Sequence, residues 1–129
     1  LKASRPNAQF DIIVSNPPYI LPEQYDTLPP TITHWESKYA LVGDPAREKR
    51  QYTYFQELCD TGALMTRPAD LRRRELRDAP SIVIEIGLQG ERIASIMDQH
   101  PAWSDVELHT DFAGQPRWIS ARRTTTSSW

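Results

Sequence analysis

Residues 10–19 read Phe-Asp-Ile-Ile-Val-Ser-Asn-Pro-Pro-Tyr, an apolar strand running straight into a rigid polar tetrapeptide, Asn16-Pro17-Pro18-Tyr19. Neither proline has an N–H, so the chain must leave the sheet ladder there. The residue before each proline is pushed to extended geometry, which restricts Asn16 and Pro17. The product is a stiff ledge at the carboxyl end of a strand. It offers a side-chain amide oxygen (Asn16), an unpaired backbone carbonyl (Pro17) and an aromatic face (Tyr19).

That trio suits a flat –NH2 group. The two oxygens can each accept one of its hydrogens while Tyr19 covers the adjoining π system. An amide or aryl amine is a poor nucleophile because its lone pair is delocalised. Two acceptors return electron density to nitrogen and hold it in line with an electrophile, so positioning and fixed dipoles supply the catalysis and no general base is obligatory. The plainer reading is a Pro-Pro turn with Asn as an ordinary turn residue. The apolar strand leading into it argues for a site.

The elements that must carry this ledge are legible from pattern. Residues 11–15 form a continuous apolar run of the type buried on both faces in parallel sheets. Residues 20–43 are proline-rich and irregular, long enough to be a lid or binding loop. Asp44-Pro45 opens a helix, with Asp as N-cap and Pro at the first helical position. Tyr52, Phe55, Leu58 and Cys59 then recur at helical spacing, which makes Cys59 a core residue. Residues 81–87 read as a second buried strand, and Ile93, Ile96 and Met97 mark a short amphipathic helix that Pro101 ends. Strands near 106–109 and 117–121 follow. Strand–helix alternation closing on two consecutive strands implies an α/β fold, a parallel sheet with an antiparallel hairpin at one edge and flanking helices. In such sheets ligands bind beyond the carboxyl ends of the strands, where Asn16, Glu85 and Gly87 all fall. Glu85 stands among Ile and Val. A buried carboxylate must be paired, so it either anchors a loop or belongs to the site.

Composition narrows the functional classes. The chain has 129 residues, a net charge of -2 and 25% charged residues, so no bulk field points to nucleic acid or an acidic membrane. Its length corresponds to one domain at most. Cys59 is the only cysteine and cannot form an internal disulfide, and no Cys/His cluster has metal spacing. No apolar run approaches the ~18 residues of a membrane helix, and no signal peptide is expected within these residues. The five arginines between 67 and 78 are interspersed with acids and read as a solvated charged stretch, a nucleic-acid patch being the alternative. His34, His100 and His109 are expected at the surface, since none has partners at triad spacing. The chain begins Leu1-Lys2-Ala3, as a piece of something longer would. Residues 1–123 are expected to form the folded portion and 124–129 a disordered tail.

Taken together these residues resemble the HemK/PrmC-type protein-glutamine methyltransferases, in the Rossmann-like class I family that uses S-adenosylmethionine. Phe10 to Ile20 is similar to the family's fourth strand and catalytic loop, and Glu36 with Tyr39-Ala40-Leu41-Val42-Gly43 to its Glu-Pro…Ala-Leu…Gly segment. Ile84-Glu85-Ile86-Gly87…Gln89 resembles its Glu-Ile-Gly-x-x-Gln strand end, and Asp111-Phe112-Ala113-Gly114…Arg117 its closing turn. The four segments keep the family's order. The resemblance implies the carboxyl-terminal half of the methyltransferase domain, a partial Rossmann-like sheet, without the glycine-rich cofactor loop.

It further implies a substrate, the glutamine of the Gly-Gly-Gln motif in peptide chain release factors, methylated on its side-chain amide. Asn16 and Pro17 would be catalytic, Asn16, Pro17, Pro18 and Tyr19 would bind the substrate, and Asn16 would also border the cofactor. Glu36 and Glu85 would be supporting residues. The chain alone is expected to be inactive, because the cofactor half is missing. The alternatives are an amino-methyltransferase acting on adenine or guanine in nucleic acid, and a non-catalytic truncated relative. The length of the arginine-rich stretch suggests a mitochondrial rather than a cytoplasmic relative.

Overall fold

The computed structural model describes residues 9–42 and 51–126. A four-stranded sheet organises them, in the order β1-β2-β4-β3. Strand β1 (Ile13–Ser15) pairs parallel with β2 (Ile82–Glu85), setting Val14 opposite Val83. Strand β4 (Pro116–Arg123) runs antiparallel to β2 on its other side and to β3 (Trp103–Thr110) beyond. The mixed α/β fold expected from the sequence, with its antiparallel hairpin at one edge, is therefore present.

One face of this sheet is covered. Helix α4 (Gln51–Met65) contributes Phe55, Cys59 and Ala63 to a core shared with Ile82, Ile84 and Ile119. Helix α5 (Gly90–Asp98) adds Ile93 and Met97, four residues apart and so on one helical face. It stops short of Pro101, which cannot continue a helix. At its start, a Cβ on Gly90 would lie 2.7 Å from Ile86 Cδ1 and 3.0 Å from Pro116 Cβ, so a larger residue there would force neighbouring side chains to shift. The Trp103 indole N–H donates to the Cys59 carbonyl at 3.2 Å, tying α4 to β3. Cys59 is fully buried, as its helical spacing indicated, and burial with Asp60 nearby pushes its thiol pKa up to about 12. The proposed start of this helix at Asp44-Pro45 lies outside the described residues.

The second face is not covered by any described residue. Val14 is 77% exposed, with Phe10 and Ile12 half exposed on the same side. Residues 11–15 are an apolar run of the type buried on both faces in parallel sheets, but among the described strands β1 is terminal, and only its alternate side chain, Ile13, meets the core. An apolar run cannot by itself say how many layers pack on it.

Residues 20–42 are also more regular than expected. Three short helices occupy them, α1 (Pro22–Tyr25), α2 (Pro30–Thr33) and α3 (Lys38–Val42). Pro22 and Pro30 sit in the first helical turn of α1 and α2, where a missing N–H costs nothing. The arginine-rich stretch folds into two 3₁₀ turns, Ala69–Leu71 and Arg74–Leu76. It is not uniformly solvated. Arg72 is buried, its guanidinium donating to the carbonyls of Ala79 (2.7 Å), Asp11 (3.1 Å) and Pro80 (3.3 Å). Residues 124–126 are tied down, with Thr126 donating twice to the Asp70 carboxylate, while 127–129 lie outside the described residues. No helix among the described residues is long and apolar enough to cross a membrane.

Candidate active site

Asn16 follows directly on Ser15, the last residue of β1, and its side chain is exposed. No described residue hydrogen-bonds to it. Pro17 is buried, and no donor among the described residues reaches its carbonyl. Both acceptors of the ledge are therefore uncommitted within the described structure.

What holds the ledge is Tyr19, gripped at both ends. Its phenol donates to Glu85 Oε1 at 2.8 Å, and its backbone carbonyl accepts from Gln89 Nε2 at 2.6 Å. Glu85 ends β2 and Gln89 immediately precedes α5, so one strand-to-helix connection supplies both bonds. Gly87 lies between them. A Cβ there would stand 3.0 Å from Tyr19 Cδ2 and 3.0 Å from Gln89 Oε1, so the bare backbone is what lets the tyrosine settle against this connection. One residue on, the Ile20 N–H donates to the Leu41 carbonyl at 3.0 Å, fastening the loop to α3. Three tethers around a dipeptide that already lacks two N–H groups leave the Asn-Pro-Pro segment little freedom.

Desolvation raises the Tyr19 pKa most, the hydrogen bond to Glu85 and that carboxylate's charge raise it further, and Arg117 opposes them. The phenol is thus a committed donor. Glu85, which the sequence left between loop anchor and site residue, bonds to the loop through Tyr19. Glu36 is exposed in the turn between α2 and α3, and its side chain makes no hydrogen bond among the described residues; the structure does not bring it to Tyr19.

Beside Tyr19 lies an open cleft of about 310 Å³. Gln24, Thr27 and Leu28 wall it on one side, Leu88 and Arg117 on the other. Arg117 is steadied by Asp111, whose Oδ2 accepts from its Nε at 2.8 Å. The other Asp111 oxygen accepts from the Ala113 and Gln115 amides, closing the β3–β4 turn, in which Gly114 takes a φ of 77°. The Gln115 amide bond first, then Arg117, holds the Asp111 carboxyl below the usual carboxylate range.

Pattern reading placed Asn16, Pro17, Pro18 and Tyr19 in the site but gave Gln89 no task beyond its place in a motif. Its position two residues past Gly87, at the entrance to a helix, was the available signal. The cleft walls from α1 had none. No group of three or more metal-ligating side chains occurs among the described residues.

Comparison with known proteins places this geometry in context. The chain is 27% identical over 119 residues to the release factor glutamine methyltransferase of Rhodopirellula baltica, covering 92% of this chain and 36% of that protein. It is 31% identical over 121 residues to human MTRF1L release factor glutamine methyltransferase, covering 92% and 32%. A third relative, the release factor glutamine methyltransferase of Nitratidesulfovibrio vulgaris, is 31% identical over 120 residues, covering 91% and 36%. The chain thus spans about a third of the length of the curated relatives it matches. No family model matches it, and no solved structure does. The sequence relationship supports the HemK/PrmC-type family that the four motifs resemble.

Proposed function

We propose that this chain, a relative of the HemK/PrmC-type release factor glutamine methyltransferases over about nine-tenths of its length, supplies the acceptor side of a methyl transfer to a side-chain amide nitrogen. The substrate is the Gly-Gly-Gln glutamine of a peptide chain release factor. The observation that carries this reading is the tethered ledge at the end of β1, with the Asn16 amide exposed and the Pro17 carbonyl unpaired.

The ledge acts by holding hydrogens. Asn16 Oδ1 takes one N–H of the acceptor amide and the Pro17 carbonyl the other, which fixes the plane of the –NH2 group and turns its lone pair outward. Pro18 keeps the carbonyl from entering a ladder. Tyr19, locked by Glu85 and Gln89, fixes the loop and packs its ring on the flat face of the amide. Preorganisation is the contribution: donors and acceptors that need no rearrangement cost nothing at the moment of reaction.

S-adenosylmethionine is the methyl donor this family implies, and it supplies an electrophilic methyl group when bound. The resemblance assigns Asn16 to the border of that cofactor. None of the described residues forms a Gly-x-Gly turn followed by an acid for ribose hydroxyls, so they make no cofactor site by themselves. The isolated chain is accordingly proposed to be inactive. A mitochondrial setting, with a cytoplasmic one as the alternative, rests on the length of the arginine-rich stretch.

A nucleic-acid amine would fit the same two acceptors. The arginine-rich stretch, however, bonds through Arg72 to Asp11 and Pro80, at the amino ends of β1 and β2. It lies at the opposite end of the sheet from Asn16, which argues against its serving as the phosphate contact beside a base held there.

The test extends the chain with the coding sequence that surrounds it and supplies tritiated S-adenosylmethionine with either a release factor or DNA and RNA. Label is expected on the release factor glutamine, and Asn16→Ala is expected to reduce the rate by about 10²-fold or more. Label confined to nucleic acid would overturn the assignment.

A further inference from the structure

The amide ledge does not stand alone at its end of the sheet. Tyr19 also belongs to the wall of the open cleft beside it, a space of about 310 Å³. That is the lower end of the roughly 300–1,000 Å³ that ligand sites occupy. A polypeptide whose glutamine amide lies against the Tyr19 ring leaves the ledge within reach of this cleft. Arg117 is the only charged residue among the described residues that line it.

Arg117 is held in an unusual way for a substrate-facing cation. Its Nε–H donates to Asp111 Oδ2 at 2.8 Å, and its terminal –NH2 groups bond to nothing among the described residues. The other carboxylate oxygen, Oδ1, already accepts from the Ala113 and Gln115 amides. The pair is therefore close to neutral, fixed on its Asp111 side and still able to donate. An anion arriving at these groups meets the Asp111 charge directly behind them. A neutral carbonyl oxygen does not, and it gains a hydrogen bond from a charged donor. The guanidinium also stands near the ledge, since its charge opposes the upward shift of the Tyr19 pKa.

The remaining wall has the same character. The Gln115 side chain makes no hydrogen bond among the described residues, and Gln24 uses only its oxygen, which accepts from the Leu21 N–H at 3.1 Å. Leu88 is 61% exposed. Neutral donors and acceptors sit beside apolar side chains, and a charged occupant would lose water here without gaining a counter-ion.

The geometry points to a subsite in this cleft for the uncharged stretch of polypeptide next to the acceptor glutamine, with Arg117 donating to one of its backbone carbonyls. Asp111 both aims Arg117 and cancels its charge, so the subsite selects for neutral backbone and against acidic neighbours. Glycines beside the glutamine leave that backbone bare enough to approach the wall. The subsite presupposes the amide reading above: the ledge holds the side chain and the cleft holds the main chain.

Backbone amide NMR shifts of the isotope-labelled 129-residue chain test this with two uncharged probes, N-acetyl-glutamine amide and the blocked heptapeptide Ala-Ala-Gly-Gly-Gln-Ala-Ala. The small probe is expected to shift the Asn16 and Tyr19 amides. The heptapeptide is expected to shift Thr27, Leu88 and Arg117 as well and to bind about tenfold more tightly. Arg117→Gln should remove that gain and leave the small probe's affinity as it was. Leu88→Ser, at an exposed position, should likewise weaken only the heptapeptide, and Arg92→Gln, on α5 outside the cleft, should weaken neither. A heptapeptide with both glycines replaced by glutamate should bind no better than the small probe.

Equal affinity of the two probes, indifference of the heptapeptide to Arg117→Gln, the same loss in Arg92→Gln, or tighter binding of the glutamate peptide would each overturn the subsite. The ledge fails differently. Small-probe binding that Asn16→Ala abolishes, with no gain from the longer peptide, keeps the ledge and removes the cleft. Arg117-dependent binding of a heptapeptide whose glutamine is replaced by alanine, with none of the small probe, overturns the amide reading. Silence with both probes overturns both.

Discussion

Tyr19→Phe isolates the bond that fixes the Asn-Pro-Pro-Tyr loop. It deletes one oxygen, keeps the ring against Gly87, and leaves Glu85 Oε1 without its 2.8 Å donor. A hydrogen bond to a charged acceptor contributes about 1.5–3 kcal/mol when buried, and less where water can replace the lost donor. Tyr19 and Glu85 are both only half-buried, so the low end applies: about 1 kcal/mol. For a chain of this size that corresponds to a melting-temperature drop of roughly 3–6 °C. Urea denaturation of the parent, Tyr19→Phe, Glu85→Gln and the double variant would give the coupling as a cycle, expected at about 1 kcal/mol. The pH dependence follows from the direction of the phenol's shift. Its pKa is raised in the fold above the free value of 10.0, so the stabilisation is complete below that value and is lost as pH climbs through the folded pKa. The gap between parent and Tyr19→Phe should therefore close on the alkaline side. A coupling energy below about 0.3 kcal/mol, or a gap indifferent to alkaline pH, would refute the idea that this bond secures the loop.

Two further outcomes test the packing. Ile84→Ala, in the fully buried centre of β2, is expected to cost about 2–5 kcal/mol, whereas Val14→Thr on the open face should change stability by about 0.5 kcal/mol or less, both read from urea midpoints. The Cys59 thiol, pushed up to about 12 by burial, should remain protonated and fail to react with a disulfide reagent at pH 8 until denaturant is added; prompt reaction in the native state would place the thiol outside the core.

The sequence alone determined the local decisions. Two consecutive prolines end β1 because they remove ladder donors, and this holds whatever packs nearby. The spacing of Ile93 and Met97 states which face of α5 is apolar, and Pro101 states where the helix must have stopped. Proline in the first turns of α1 and α2 carried the same kind of signal, although the stretch reads as irregular by composition. The order of the segments was enough to bring the Asn-Pro-Pro-Tyr loop and Glu85 to one end of the sheet.

Tertiary structure decided what each side chain meets. Val14 and Ile84 are equally apolar in the sequence, yet one faces solvent and the other is sealed, because Val14 points to the sheet face that no described residue covers and Ile84 to the face packed by α4 and α5. Arg72 sits among its neighbours as one arginine in five, and only the return of its turn against β1 and β2 gives it three carbonyls and removes it from water. Glu85 and Gln89 became the clamp on Tyr19 through contacts spanning 66 and 70 residues, a separation at which no periodicity or propensity carries information. Backbone geometry is written locally because each dihedral depends on its own residue and the next. Burial and pairing depend on which surfaces the whole chain brings together.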